Sequence, residues 1–398
     1  MEIFNPYLYL YGCNIISFLV IKCYISGIIK SRNIVSGDKI ISKKLKAELI
    51  NTKVYYIYCV VIVLFICTRD VSVGSDTRAY VDFFNNPDFL YVGDKTDWFF
   101  EQLGRFLHSI YVNDDFFIFV DSLIYCLGLF FIINMSCKDK MFAMLLFSIS
   151  GTSSIIFFLY MCMMRQCTAL CFYFIAIYFM FVSTISKNKR IIWAIFFFTI
   201  AILTHKSVAI SIPFIFLVKF NPFSRKIWIM LLLVTYVLSA LDLSFVTTVL
   251  NFFAEFVDMG HYEGYTDINF GQIDAKGWFN MNLLPFMILS FLILVLKNDK
   301  EIKIWIYQMA LWGAVLNNVF YDNLMWSRLI LYFSIFMIMA IPNALYNRKL
   351  IIQFPIFALI MVYYIYKTSS QLIDQVDPFA TGNLVIPYHS WLFDPIFG

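Results

Sequence analysis

Charge is what this chain of 398 residues has least of: 14% of its residues are charged and 61% are hydrophobic. Soluble domains carry about 25% charged residues, so a water-soluble globule is excluded. Glycine and proline are scarce, at 15 and 10 residues, and no Gly/Ser linker or low-complexity tract divides the chain. No P-loop, Rossmann glycine pattern or His/Cys pair at metal-ligand spacing is present, so neither a nucleotide nor a metal has a sequence signature here. The four histidines, His108, His205, His261 and His389, are scattered. The nine cysteines sit in or beside apolar runs and read as small core residues rather than a disulfide framework. The opening MEIFNPYLYL lacks a basic stretch and a small-residue cleavage site, so the first apolar run is expected to be retained as a span.

What the chain does have is a series of apolar runs, with a mean hydropathy of +0.77. Runs able to cross about 30 Å of hydrocarbon predict an all-α polytopic membrane protein, because helices satisfy their own backbone groups in lipid. The expected spans are 6–29, 50–68, 116–135, 141–160, 164–183, 227–241, 278–296, 304–320, 326–345 and 351–366, plus a paired segment. Twenty of the 30 basic residues fall in the short segments 30–53, 138–140, 187–190, 219–226, 297–303 and 348–349. The positive-inside rule makes these cytoplasmic. The acidic loops 69–115 and 242–277 and the tail 368–398 then face outward, with both termini, which in a bacterium means the periplasm.

The paired segment is 191–218, 28 residues bounded by basic clusters at both ends. It must enter and return, so each limb has at most 14 residues, or about 21 Å at 1.5 Å per residue. The turn is Thr204-His205-Lys206-Ser207, placed in a polar recess below the outer surface. One long tilted span is the alternative, and it would invert every later loop. With this re-entrant pair the chain has about 12 membrane segments in a single domain, 1–398. Within the first outer loop, Phe99, Leu103, Phe106, Leu107 and Ile110 share one helical face, opposite Asp97, Glu101 and His108. That pattern suits a helix lying in the interface or one packed over the spans.

Four basic residues break the charge rule and sit at outer span ends: Arg69, Arg165, Lys206 and Arg328. Charge at membrane depth marks a pathway or a site, and guanidinium offers a planar fork for phosphate oxygens. Each alone is equally consistent with a side chain snorkelling to the headgroups. As a set, drawn from separate segments to one level, they suit a pyrophosphate. Among the carboxylates, Asp76 stands out for its Gly-Ser-Asp-Thr setting and Glu101 for its amphipathic surroundings. Either of these, or His205, can take a proton from a sugar hydroxyl. A charged cluster facing away from the cytosol argues against a nucleotide-sugar donor.

The stretch from Arg69 through Gly74-Ser-Asp-Thr77 to Tyr80 and Phe83/Phe84 resembles a signature of the EpsG-like, Wzy-type polysaccharide polymerases. Glu101 with Gly104, Arg165-Gln166 with Ala169, Thr204-His205-Lys206-Ser207, Arg328 with Tyr332, and Pro387-Tyr388 follow in the same order. Ser75 stands where threonine is also common. The resemblance implies a GT-C-like glycosyltransferase of the bacterial inner membrane that works on the periplasmic side without a cofactor or metal. It would join oligosaccharide repeat units carried on undecaprenyl pyrophosphate into O-antigen, capsule or exopolysaccharide. Its partners would be the lipid-linked donor and acceptor, the bilayer and a chain-length regulator, with no nucleic acid. Arg69, Arg165, Gln166, Arg328 and Lys206 would then hold the substrate. His205 or Asp76 would activate the acceptor hydroxyl with Glu101 behind them, and Tyr80 and Tyr388 would stack on sugars or close the site. A lipid-linked glycan flippase and a membrane O-acyltransferase of surface polysaccharide are the alternatives. The first would need two related halves and cations at mid-depth, the second an inward-facing acyl-donor route.

Overall fold

Among the described residues, two helices have the length and composition to cross a membrane, and they run side by side in the same direction. The computed structural model describes residues 37–74, 76–86, 97–149, 161–220, 223–241, 283–296, 304–320, 330–346, 348, 351–360, 362–363 and 389–392, with side chains from residue 52. Among the described residues the protein is helical throughout, without a strand; Arg69 and Ser390 form an isolated bridge. The helices used below are α1 (Gly37–Cys67), α2 (Thr77–Asn85), α3 (Trp98–Ile110), α4 (Asp114–Ser136), α5 (Lys140–Ile149), α6 (Met164–Phe181), α7 (Lys187–Thr204), α8 (Val208–Phe220), α9 (Arg225–Ala240), α10 (Leu284–Leu296), α11 (Ile304–Phe320) and α12 (Met337–Leu345).

The two candidate spans are α4, of 23 residues, and α6, of 18. At 1.5 Å per residue they are about 35 and 27 Å long. Asn113 caps α4 by accepting from the Phe116 amide at 2.9 Å. Gly128 lets the two helices meet, because a Cβ there would lie 2.5 Å from the Cys171 Cα. Lower down, Phe131 meets Tyr178 edge to face, with centroids 4.9 Å apart. Shorter apolar helices, including Thr52–Cys67, α8, α10 and Ile351–Ile360, surround this pair. The long α11 is buried along nearly its whole length. Its Gln308 accepts from the Trp228 indole at 2.8 Å and the Phe223 amide at 3.1 Å, so a polar side chain joins helices where water is absent.

The helix breaks at His205-Lys206-Ser207, between α7 and α8. At the far end of this hairpin Arg190 donates to the Ser183 carbonyl at 3.4 Å, and Lys219 to the Met180 carbonyl at 2.6 Å. The first limb therefore begins, and the second ends, beside the C-terminus of α6. The limbs differ from expectation in length. The first, α7, has 18 residues rather than at most 14, because its helix starts back at Lys187 among the basic residues. The helix α1 likewise extends through lysines of the 30–53 segment, expected to be a loop. Polar residues at a helix end cost the helix nothing when they project beyond the apolar layer.

Across the N-terminal end of α4 lie α2 and α3. Phe84 stacks on Phe117 with centroids 4.6 Å apart, and Phe100, Leu107 and Met164 complete a small second core. Gly104 sits 3.3 Å, measured from an added Cβ, from the Phe83 ring. The buried face of α3 is Phe100, Gly104 and Leu107, rotated from the expected one. Phe106 and Ile110, on the face expected either to lie in the interface or to pack over the spans, are 62% and 58% exposed with Trp98 at 56%. This helix therefore has two apolar sides, one on the bundle and one facing out. The expected outer loop 242–277 and tail 368–398 lie almost wholly outside the described residues.

Candidate active site

Asp97, the residue before α3, is 4% exposed and accepts three hydrogen bonds. Arg165 Nη1 donates to Oδ2 at 3.4 Å, His205 Nδ1 lies 2.9 Å from the same oxygen, and the Lys206 amide donates to Oδ1 at 3.3 Å. A carboxylate withdrawn from water needs such partners. Because Asp97 accepts from the other two donors, Nδ1 of His205 is assigned as the proton-bearing nitrogen, which leaves Nε2 as the acceptor. His205 ends α7, where its backbone leaves the helix in an extended conformation and turns the ring toward α3.

Arg165 is the second residue of α6. Its Nε donates to the Tyr80 hydroxyl at 3.2 Å, and its guanidinium sits 5.4 Å above that ring. Tyr80 in turn meets Phe100 edge to face at 5.5 Å. With 32% of its side chain exposed, Arg165 is held from two sides yet reachable from outside. The Lys206 side chain is exposed next to it. Ser207 Oγ and the Tyr332 hydroxyl are 2.9 Å apart, and buried Gln166 reaches the same hydroxyl.

The Gly-Ser-Asp-Thr motif shapes the loop that carries α2. Gly74 adopts φ +101°, and a Cβ there would lie 2.3 Å from the Met161 carbonyl oxygen. Only glycine fits such a turn against the approach to α6. Thr77 ties the same point by donating to the Val73 carbonyl at 2.8 Å. Asp76 opens α2 one turn before Tyr80, partly exposed, and caps no amide of that helix with its side chain. Asp70 accepts from the Ser72 amide at 2.8 Å. Partial burial raises its pKa, but the hydrogen bonds from Ser72 outweigh this and hold the carboxyl below its ordinary value.

The structure thus brings together His205, Arg165, Lys206, Tyr80 and Gln166. Two other residues have different partners. Glu101, expected behind the base, lies one turn along α3 and pairs with Arg105 at 3.0 Å. Arg69, expected on the substrate, is corrected: its side chain is fully buried. It donates to the Ile66 carbonyl at 2.8 Å and to Ser122 Oγ at 2.5 Å, and its backbone pairs with Ser390. Its Nε and Nη2, and Oδ2 of Asp121, find no hydrogen-bond partner among the described residues. Asp121 interacts electrostatically with Arg69 and accepts from Thr168 at 2.7 Å, one turn beyond Arg165. Arg328 and Tyr388 lie outside the described residues.

Sequence reasoning missed two carboxylates. Asp97 counted only as one member of a polar face, although a carboxylate immediately before an amphipathic helix is a common start signal. Asp121 is an acid within an apolar run, which is itself a functional signal in membrane helices.

The sequence profile of the EpsG family matches residues 53–390. No curated protein and no solved structure matches the chain. The profile match spans α2, α3, both candidate spans and the whole Asp97 cluster, and on that extent the chain belongs to the EpsG family.

Proposed function

We propose that this protein is a membrane glycosyltransferase that polymerises oligosaccharide repeat units carried on a lipid pyrophosphate, undecaprenyl pyrophosphate in a bacterium. One observation carries the reading. Asp97, Arg165 and His205, from three separate helix ends, meet at the end of the bundle opposite Arg190 and Lys219. The basic end is the cytoplasmic one by the positive-inside rule, so the cluster faces the periplasm across the inner membrane. About 12 membrane segments in all would satisfy that orientation.

Arg165 and Lys206 bind the pyrophosphate, with Arg328 as a third contact on the strength of its place four residues before Tyr332. A cation in the first turn of a helix opposes the helix dipole, and Met163, which precedes it, offers no side-chain cap. An anion there relieves both conditions. His205 Nε2 takes the proton of the acceptor hydroxyl while Asp97 holds the ring. The hydroxyl oxygen then bonds to the anomeric carbon of the donor glycan, the anomeric C–O bond to phosphate breaks, and the lipid pyrophosphate departs. Fixed guanidinium and ammonium groups stabilise the charge that builds on this leaving group. Tyr80 aligns Arg165, Gln166 and Tyr332 wall the recess, and Asp76 and Tyr388 are assigned to the sugars by their place in the sequence motifs. Buried Arg69 holds the 69–77 loop in register as a positioning residue.

The test is a gene deletion complemented with wild-type, R165A or H205A protein, with surface glycan resolved on a gel. The wild type restores a ladder, and each variant leaves single-repeat glycan with normal protein in the membrane. Complete loss of surface glycan in the deletion would mean a flippase instead. Normal length with an altered substituent would mean an acyltransferase. Wild-type ladders from both variants would remove the Asp97 cluster from the chemistry.

A further inference from the structure

Two charged side chains inside the bundle carry atoms that none of the described residues satisfies. Arg69 and Asp121 are both fully buried. The side-chain hydrogen bonds of Arg69 all leave from Nη1, toward the Ile66 carbonyl, Ser122 Oγ and the Tyr125 hydroxyl. Nε and Nη2 share the other edge of the guanidinium and form its fork, and neither has a partner. Oδ2 of Asp121 has none either. We infer that an ordered water joins this fork to Oδ2, and that the hydrated Arg69–Asp121 link is a brace that fixes the position of Arg165. The role of the brace rests on the function proposed above; the water link does not.

The stoichiometry fits water. A buried water makes about three hydrogen bonds, to polar groups that lack other partners. Two N–H donors and one carboxylate oxygen are left over between these side chains. A water oxygen can accept from both N–H groups of one guanidinium edge while an O–H donates to the carboxylate. The two side chains attract each other electrostatically without a direct hydrogen bond. Other groups within electrostatic reach of Arg69 do not compete for the fork. The Tyr125 hydroxyl donates to Ser122 at 2.9 Å, and Cys67 and Cys162 offer sulfur, a weak acceptor. Asp121 would repel an anion and Arg69 a cation, which leaves a small neutral ligand.

That water closes a ring of contacts with one gap. From Arg69 the chain runs through Gly74 and Thr77 to Tyr80, and Thr77 Oγ1 pins it ahead of α6 by donating to the Met161 carbonyl at 3.2 Å. The Tyr80 hydroxyl accepts from Arg165 Nε at 3.2 Å. One turn further along α6, Thr168 Oγ1 donates to Oδ1 of Asp121 at 2.7 Å. The step from Oδ2 back to the Arg69 fork is the one the water completes. Arg165 is thus held from two directions, by α2 and by its own helix, and both supports return to the Arg69–Asp121 pair. A buried ion pair adds little to the stability of a fold that could pack apolar residues in its place. Precision at the site is the better reason for an acid within the apolar α4, since a misplacement of about 1 Å there costs roughly a hundredfold in rate.

The experiment compares wild type, R69M, D121L and R69M/D121L as full chains in lipid nanodiscs, by thermal unfolding and by polymerisation rate. Each single variant strands a buried charge and should unfold about 5 °C or more below the wild type. The double variant strands none, and Ser122 and Tyr125 keep each other as partners, so it should recover most of that loss. Its kcat should still fall about tenfold or more, because Arg165 has lost its brace. A merely structural pair would return kcat together with the fold. T168V, which keeps the shape of the side chain and removes its donor, should remain folded and lower kcat about fivefold. A density map that resolves buried waters should show one between Arg69 and Asp121. Losses that simply add in the double variant, or a map lacking that water while others are seen, would overturn the hydrated pair. Wild-type kcat in R69M/D121L or in T168V would overturn the brace. If gene deletion leaves glycan length intact, the polymerase reading fails, and the thermal comparison still decides the pair.

Discussion

Replacing Asp97 by asparagine tests the cluster with little change in shape. The amide nitrogen offers donors where the carboxylate had acceptors, and three groups are affected at once. His205 Nδ1, at 2.9 Å, loses the acceptor that sets its proton and ring orientation. Arg165, at 3.4 Å, loses its opposite charge, and the Lys206 amide, at 3.3 Å, loses one acceptor in two orientations. Removing one member of a buried ion pair costs about 3–5 kcal/mol when the survivor stays dry. Here Arg165 is 32% exposed and water can reach it, so the stability cost is smaller, about 1–3 kcal/mol. The chemical cost is larger. A histidine freed to adopt the other tautomer loses its role as base, which contributes roughly 10²–10⁴ in rate. D97N should therefore reach the membrane at near-normal abundance and retain binding of lipid pyrophosphate through Arg165. Its turnover should fall by about a hundredfold or more. The assay is the glycan ladder alongside an immunoblot of membranes, then rates and substrate affinity on purified protein. A full-length ladder at normal abundance would refute the argument, as would a loss confined to affinity with turnover intact.

Arg165→Lys should fail nearly as badly as R165A, because an ammonium cannot donate to Tyr80 and Asp97 while also meeting two phosphate oxygens. A ladder of normal length from the lysine variant would reduce Arg165 to a point charge. Glu101→Gln should preserve the ladder, since the carboxylate forms a partly exposed pair with Arg105 within one helix, worth about 0.3–0.5 kcal/mol. Loss of polymerisation at normal abundance would restore Glu101 to the catalytic group. Gly74→Ala should lower abundance and melting temperature: a positive φ alone costs about 1–2 kcal/mol, and the Met161 carbonyl blocks the new methyl. Unchanged thermal unfolding in detergent would show that the loop can be rebuilt around alanine.

The sequence revealed much of the fold because membrane helices are specified by composition. Ile304 to Phe320, an apolar run between polar stretches, is helical along its whole length. Basic residues at both ends of the 191–218 segment suggested a helical pair there, and the helix does break at His205-Lys206-Ser207, with Arg190 and Lys219 beside the same end of α6. Lengths were less legible. Apolar runs mark where lipid ends, not where helices end, so α7 starts earlier than expected, among the basic residues.

The site divided differently. The turn of the 191–218 segment drew attention to His205, and charge asymmetry singled out Arg165 and Lys206, because cations on the acidic side have few structural reasons to be there. The same signal flagged Arg69, yet its side chain turns into the bundle toward Ser122 and Asp121. No one-dimensional pattern tells a guanidinium that faces out from one that faces in. That depends on which helix packs behind it. Asp97 shows the converse. Its neighbours in the sequence mark it as a helix start, but its partners Arg165 and His205 lie 68 and 108 residues away. Sequence by itself determined the membrane class, the helical architecture and the end of the bundle where cations gather, because each follows from local composition. Only the tertiary structure decided which carboxylate they share and which arginine is buried, because both depend on how distant helices meet.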